Sequence, residues 1–234
     1  MNLSSKKALV FGGTSGIGLA TCKQLADLGA DVIAISRHPE KAGDLGDNIS
    51  TRKCDVRDAD ALKALFKECG PYDILISAAT GGSRAKGPFL EMDMDSYQAS
   101  FDKLWGYTNA VRYGTEYLSE KGNIVLVSGA PARKCRPGQI ALASVGGAVE
   151  AFVRAIAPEL APRRINVVSP GLISTPMFGD DVTVRDAQLA DMTKDNLIPR
   201  PGQPEEVAKG ILFVVQNEFV TGTTVDVDGG WLLS

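Results

Sequence analysis

Histidine is almost missing from this chain: His38 is the only one among 234 residues. That scarcity argues against a histidine-built metal centre or a histidine-based nucleophilic triad. Cysteine is sparse too, and Cys22, Cys54, Cys69 and Cys135 lie far apart, without the close pairs a zinc site needs. They read as free thiols, which fits a reducing, cytoplasmic setting. A basic excess is also absent, because 25 Lys and Arg stand against 28 Asp and Glu for a net charge of −3. No broad cationic surface is expected to draw nucleic acid or an anionic membrane. No apolar run approaches the roughly 20 residues that span a bilayer. Residues 1–7 lack the apolar stretch of a signal peptide.

What the chain does have is hydrophobic residues, at 44%, enough for the core of one large α/β domain or two small ones. Ala8-Leu9-Val10-Phe11 reads as a buried strand, and residues 17–28 place Ile17, Ala20, Leu25 and Leu28 on one helical face. Between them runs Gly12-Gly13-Thr14-Ser15-Gly16-Ile17-Gly18. Such a strand-to-helix turn offers backbone N–H groups and the positive helix end to an anion. Gly12, Gly16 and Gly18 let the main chain bend tightly and let a phosphate approach with no Cβ in the way. A glycine-rich turn that binds nothing has the same appearance, so the remaining chain must decide.

The remaining chain alternates strand and helix. Residues 31–36 read as a second strand ending in Ser36-Arg37-His38-Pro39. In a dinucleotide fold this strand end faces the adenosine ribose, where a carboxylate suits a free 2′-hydroxyl and an arginine suits a 2′-phosphate. With Ser36 and Arg37 there and no acid, NADP(H) is favoured over NAD(H), although Arg37 could equally be a solvated turn residue. A short strand over 51–56 ends in Asp55-Val56, placed to meet an adenine, and a helix follows over 59–69. The apolar run 72–79, carrying Ala78 near its end, suits a parallel strand covered on both faces. After a loop over 81–87 come helices over 94–104 and on to 118, a strand over 123–128, a helix over 141–160 and a strand over 165–169. Pro204-Glu205-Glu206 starts a last helix, with proline and carboxylates suited to its positive end. Residues 221–230 form a final strand and turn. The pattern predicts an α/β fold: a single-domain, doubly wound parallel sheet of Rossmann type, helices on both faces, over residues 1–234. Residues 176–200 form either a lid over a substrate or a plain surface excursion.

Taken together, these features resemble the short-chain dehydrogenase/reductase family along the whole chain. The likeness rests on the glycine motif, Asp55-Val56, Asn166-Val-Val-Ser-Pro-Gly171 with Ile173 and Thr175, Pro201-Gly-Gln-Pro-Glu-Glu-Val-Ala208, and Thr221-Gly222 through Asp228-Gly229-Gly230. The resemblance implies that Pro170, Gly171, Ile173 and Thr175 lie beside the nicotinamide. It also implies a small-molecule substrate and a homodimer or homotetramer.

The family's catalytic residues do not carry over. Ungapped alignment puts Leu142 where the family has its proton-handling tyrosine and Gly146 where it has the lysine four residues on. Gly129 takes the serine position, with Ser128 one residue early, and Lys103 of Lys103-Leu104-Trp105-Gly106 takes the asparagine position. Losing a general acid costs on the order of 10²–10⁴ in rate, so another group must serve if there is chemistry. Lys103, Ser128 and Arg133, with Lys134 beside it, are the candidates for polarising a substrate oxygen. Each also has a plain structural reading, as a helix-surface lysine, a turn-capping serine or wet loop charges. Three functions stay open: an atypical NADP(H)-dependent oxidoreductase of small carbonyl or hydroxyl compounds, a catalytically silent nucleotide sensor or interaction protein, and a non-redox enzyme on the same scaffold.

Overall fold

Successive side chains of a strand point to opposite faces, so a parallel sheet covered on both sides divides its residues between two cores. The computed structural model, which describes residues 1–43, 45–80 and 84–234, shows this directly. In β1 (Lys7–Phe11) Leu9 and Phe11 join one cluster while Ala8 and Val10 join the other. In β2 (Asp31–Ser36) Ile33 and Ile35 follow the first, Val32 and Ala34 the second. With β3 (Ile49–Lys53), β4 (Tyr72–Ser77), β5 (Leu118–Val127), β6 (Arg164–Pro170) and β7 (Thr224–Val227), the sheet has the order β3-β2-β1-β4-β5-β6-β7. Every pairing is parallel.

Helices cover both faces. α1 (Gly16–Asp27) and α7 (Pro204–Gln216) close the Ala8–Val10 side through Cys22, Leu25, Val207, Ile211 and Val215. α2 (Ala59–Cys69), α4 (Asp102–Gly114) and α5 (Ile140–Leu160) close the other through Phe66, Tyr107, Val149 and Val153. Phe66 packs between Phe11 and Tyr72 with both ring centroids at 5.9 Å, and the Tyr72 hydroxyl donates to the Gly114 carbonyl at 2.7 Å. Two further helices, α3 (Met94–Ala99) and α6 (Val182–Thr193), add no residue to these two core clusters. Because β1 stands between β2 and β4, its two neighbouring crossovers leave in opposite directions. The crevice at the carboxyl ends of these strands is where such sheets bind ligands.

Some boundaries differ from the sequence reading. The expected strand over 51–56 stops at Lys53, leaving Asp55 and Val56 in a turn that Asp55 caps by accepting from the Arg57 N–H at 3.0 Å. The helix over 94–104 divides into α3 and α4 around Ser100 and Phe101. Leu118, expected at a helix end, instead opens β5 opposite Tyr72, and the register then shifts before Ile74 pairs with Asn123. At 2% exposure Leu118 belongs to the core cluster of Phe66 and Tyr72, which explains why the chain enters the sheet early. The segment 176–200 carries a 3-10 turn at Pro176–Phe178 and α6, whose Arg185 and Leu189 are buried. One expectation needs correction: α5, 21 residues long, is apolar enough by length and composition to cross a membrane. One face of it, with Val149, Val153 and Leu160, packs into the core with Ile165 and Val167, while only 33% of its most apolar stretch is buried.

Candidate active site

The β1–α1 turn is built so that only glycine fits. A Cβ on Gly18 would stand 2.1 Å from the Gly12 carbonyl oxygen, and one on Gly12, at φ +76°, would stand 2.9 Å from the Ala78 backbone. Ser15 precedes α1 without a side-chain cap, and the first turn has no acidic residue. The unpaired N–H groups and positive end of the helix are therefore not neutralised from within the chain.

This turn forms one wall of a cleft of about 370 Å³. Around it the fold gathers Gly12, Thr14, Ser15, Gly16, Ile17, Gly18, Ser36, Arg37, Asp55, Val56, Ala78 and Thr175. Pro170, Gly171 and Ile173 are not on that wall. Pro170 ends β6, a Cβ on Gly171 would meet Asp228 at 2.8 Å, and the Ile173 side chain is buried in the core. His38 and Lys41 join Arg37 at the outer end, and Pro176 and Met177 continue from Thr175. Lys41 escaped the sequence reading although it follows Arg37 by four residues, through the 3-10 turn Pro39–Lys41. Asp55 is held by Arg57 at 2.7 Å, which keeps its carboxyl below the usual carboxylate range. Arg57 also reaches Asp102 at 3.1 Å, joining this turn to the start of α4.

The Lys103-Leu104-Trp105-Gly106 motif has a packing logic. A Cβ at Gly106 would lie 2.4 Å from Val56 Cγ2, so α4 can sit against the 54–56 turn only with glycine there. One helical turn earlier, on the same face, Lys103 is 9% exposed and its Nζ donates to the Ser128 carbonyl at 3.2 Å. Nζ also lies 5.5 Å from the Tyr107 ring centroid. Burial first, and the charge of Arg84 second, lower the Lys103 pKa to about 7. Arg84 itself is half-buried and donates from Nη1 to Met177 Sδ at 3.0 Å. It was missed from sequence, where its one signal is that it is the first charge after Asp73. The other loop positions expected here, Gly81, Gly82 and Ser83, lie outside the described residues.

Two expected site residues have other employment. The Ser128 hydroxyl donates to Glu150 Oε1 at 3.2 Å in the interior, so what Ser128 offers Lys103 is its carbonyl, not its side chain. Arg133 pairs with Asp226, donating from Nη1 at 2.9 Å, and its Nε lies 3.4 Å from Glu150, which is 4% exposed. Two carboxylates consume its charge, which removes it as a free electrophile. Lys134 reaches the Ser234 carbonyl, and Trp231 Nε1 donates to the Lys134 carbonyl at 3.1 Å. Leu142 lies in the first turn of α5, and a Cβ at Gly146 would start 3.0 Å from that of Ala132. The 129–138 loop thus packs close to where a long side chain at 146 would begin.

Comparison with known proteins agrees with this geometry. Residues 12–232 match a family profile described as enoyl-(acyl carrier protein) reductase. The chain is 32% identical over 240 residues to carbonyl reductase family member 4 of Danio rerio, covering 97% of this chain and 98% of that protein. It is 31% identical over 255 residues to the short-chain dehydrogenase/reductase ATR9 of Stachybotrys chlorohalonatus, covering 99% and 98%. Among solved structures, a small-chain dehydrogenase in complex with NADPH superposes with a TM-score of 0.84 at 30% identity, covering 99% of this chain and 100% of that one.

Proposed function

We propose, from the premise that this chain belongs to the short-chain dehydrogenase/reductase family, that it is an NADP(H)-dependent oxidoreductase of small carbonyl or hydroxyl compounds whose proton chemistry uses Lys103 in place of the usual tyrosine and lysine. The glycine cradle fits a dinucleotide: Gly12–Gly18 would take the diphosphate, Arg37 with His38 and Lys41 the 2′-phosphate, and Thr175 the nicotinamide end. The related structure that binds NADPH supports this choice of nucleotide. When bound, the nicotinamide supplies or accepts a hydride.

The chain's own residues must then handle charge and proton at the substrate oxygen. Reduction of a carbonyl builds negative charge on that oxygen, which needs a cation or a proton close by. Leu142 and Gly146 offer neither. Lys103 does, and its pKa of about 7 keeps both its acid and its base forms populated at neutral pH. The Ser128 carbonyl accepts from the ammonium, and the Tyr107 ring lies beside it. The observation that carries the reading is this nearly buried ammonium, which is not itself among the cleft-lining residues but sits on the face of α4 whose Gly106 meets Val56 of the cleft wall. The 176–200 segment, with Met177 on the cleft wall, serves in this reading as the substrate cover. The exposed Trp105 on α4 supports assembly into a homodimer or homotetramer.

The test is oxidation of NADPH at 340 nm across a panel of carbonyl compounds, for the wild type and Lys103→Met. Turnover that Lys103→Met lowers by 10²-fold or more while NADPH still binds supports the proposal. Tight NADPH binding with no turnover on any compound overturns it in favour of a silent sensor.

A further inference from the structure

The turn at Pro176–Phe178 puts Pro176 and Met177 on the cleft wall, yet neither the turn nor α6 adds a residue to either large core cluster. Met177, Phe178, Val182 and Val184 are all exposed, and Leu189 is the one apolar side chain of α6 that is fully buried. The ties at the near end of this segment are polar, and they converge on one guanidinium. Arg185, nearly buried on α6, donates from Nε to Ser174 Oγ at 3.0 Å and from Nη1 to the Gly179 carbonyl at 3.0 Å. The Ser174 hydroxyl in turn donates to Asp186 Oδ1, which lies 3.6 Å from Arg185 Nε.

These bonds fasten residues 179, 185 and 186 to a fixed point. Ser174 is 4% exposed, and its N–H donates to the Gly202 carbonyl at 2.8 Å, beside the bridge that pairs the core residue Ile173 with Gly202. The next residue, Thr175, is on the cleft wall. A Cβ on Gly16 would meet its Cγ2 at 3.3 Å and Pro176 Cδ at 4.0 Å, so the turn stands close beside the glycine cradle. Its placement sets the width of the cleft there. Gly179, at φ +124°, takes a conformation that side-chain-bearing residues rarely adopt and sends the chain on to α6.

We infer that Arg185 is a positioning residue for the nucleotide: with Ser174 and Asp186 it latches the 175–178 turn at the inner end of the cleft, so that the nicotinamide half of NADP(H) meets a wall already in place. The inference deepens the proposed function, since it rests on that reading of the cleft. A guanidinium bonded to a hydroxyl on one side and a carbonyl on the other fixes direction as well as distance. Without it the turn must be ordered anew at each binding event, and the entropy of that ordering is lost from the affinity. The adenosine half, met by Arg37 and Asp55 away from this turn, is spared that loss.

The experiment compares the whole nucleotide with its adenosine half. Wild type, Arg185→Met, Ser174→Ala and the double variant are titrated calorimetrically with NADPH and with adenosine 2′,5′-bisphosphate, with circular dichroism to verify folding. Hydrogen exchange of the nucleotide-free proteins reports separately on the Phe178 and Gly179 amides, which donate to the Thr175 and Pro176 carbonyls at 3.0 and 3.1 Å. Each single variant should bind NADPH about tenfold more weakly or worse and the adenosine half within about twofold of wild type. The double variant should lose no more than the worse single, since both substitutions cut the same latch. Exchange over 176–186 should quicken by about tenfold or more in the variants, with that of β6 unchanged. Unchanged NADPH affinity, equal losses for the two ligands, additive losses in the double variant or unchanged exchange overturns the inference. A wild type that binds neither ligand would instead count against the proposed function, and the exchange of the nucleotide-free proteins would still decide the latch.

Discussion

Replacing Lys103 by methionine is expected to make the ligand-free protein more stable at neutral pH. The lysine is 9% exposed and, among the described residues, has one carbonyl partner. Its pKa is lowered from 10.5 to about 7 on folding. Between these values the unfolded chain binds more protons than the folded one, so stability rises with pH at up to about 1.4 kcal/mol per pH unit. Below pH 7 both states carry the charge and the full penalty persists; above 10.5 both are neutral and it vanishes. Integrated from pH 7 upward, the penalty is on the order of 4 kcal/mol. Methionine keeps most of the apolar stem and removes the charge, so the variant should recover a large part of this. Other groups titrate over the same range, but the difference between wild type and variant isolates Lys103. The assay is urea unfolding of both proteins at half-unit steps from pH 6.5 to 10. The advantage of Lys103→Met should shrink steadily as pH rises. A stability difference that stays constant across this range would refute the claim that burial penalises the Lys103 ammonium.

Other perturbations have equally definite outcomes. Gly18→Ala would place a Cβ 2.1 Å from the Gly12 carbonyl, so NADPH fluorescence titration should show binding weakened by 100-fold or more, on the order of 3 kcal/mol. Unchanged affinity would mean the turn is not the phosphate cradle. Arg37→Gln should lower the preference for NADPH over NADH by about tenfold or more, the worth of one charge-assisted contact. Paired Kd measurements for the two nucleotides check this. Glu206→Gln tests the start of α7, where Arg200 first and the Gln203 N–H second pull the Glu206 pKa from 4.5 to about 2. That stabilisation is present above pH 4.5 and lost as pH falls toward 2. Because the side chain is 36% exposed, the loss above pH 5 should be only about 1 kcal/mol, read from thermal unfolding.

How much of this was legible in sequence depends on whether the signal was local. The sheet was readable because β1, β2 and β4 are buried on both faces and so run nearly uninterrupted in apolar residues. The bounds of α2 were readable because Asp58 accepts from the N–H groups of Asp60 and Ala61, a cap written into neighbouring residues. The entry of β5 at Leu118 was not, because apolar spacing continues through it and only the core beneath decides. Side-chain allegiance across the chain was hidden as well. Arg133 meets Asp226 across 93 positions, and the Ser128 hydroxyl turns to Glu150 across 22. No spacing rule anticipates either bond. Arg84 sits in a loop with no periodicity, so its contact with Met177 required the fold.

The distribution of thiols gives the molecule a built-in handle. Cys22, Cys54 and Cys69 are buried, and burial pushes the first two up to about 12 and about 11, leaving almost no thiolate to react. Cys135 alone of the four is exposed, and it rides on the loop that carries Arg133 and borders the start of α5. A maleimide dye should therefore attach once, without any engineered mutation, on a loop pinned to α5 and to the C-terminal residues. Its emission can then report on how that loop responds as ligands arrive.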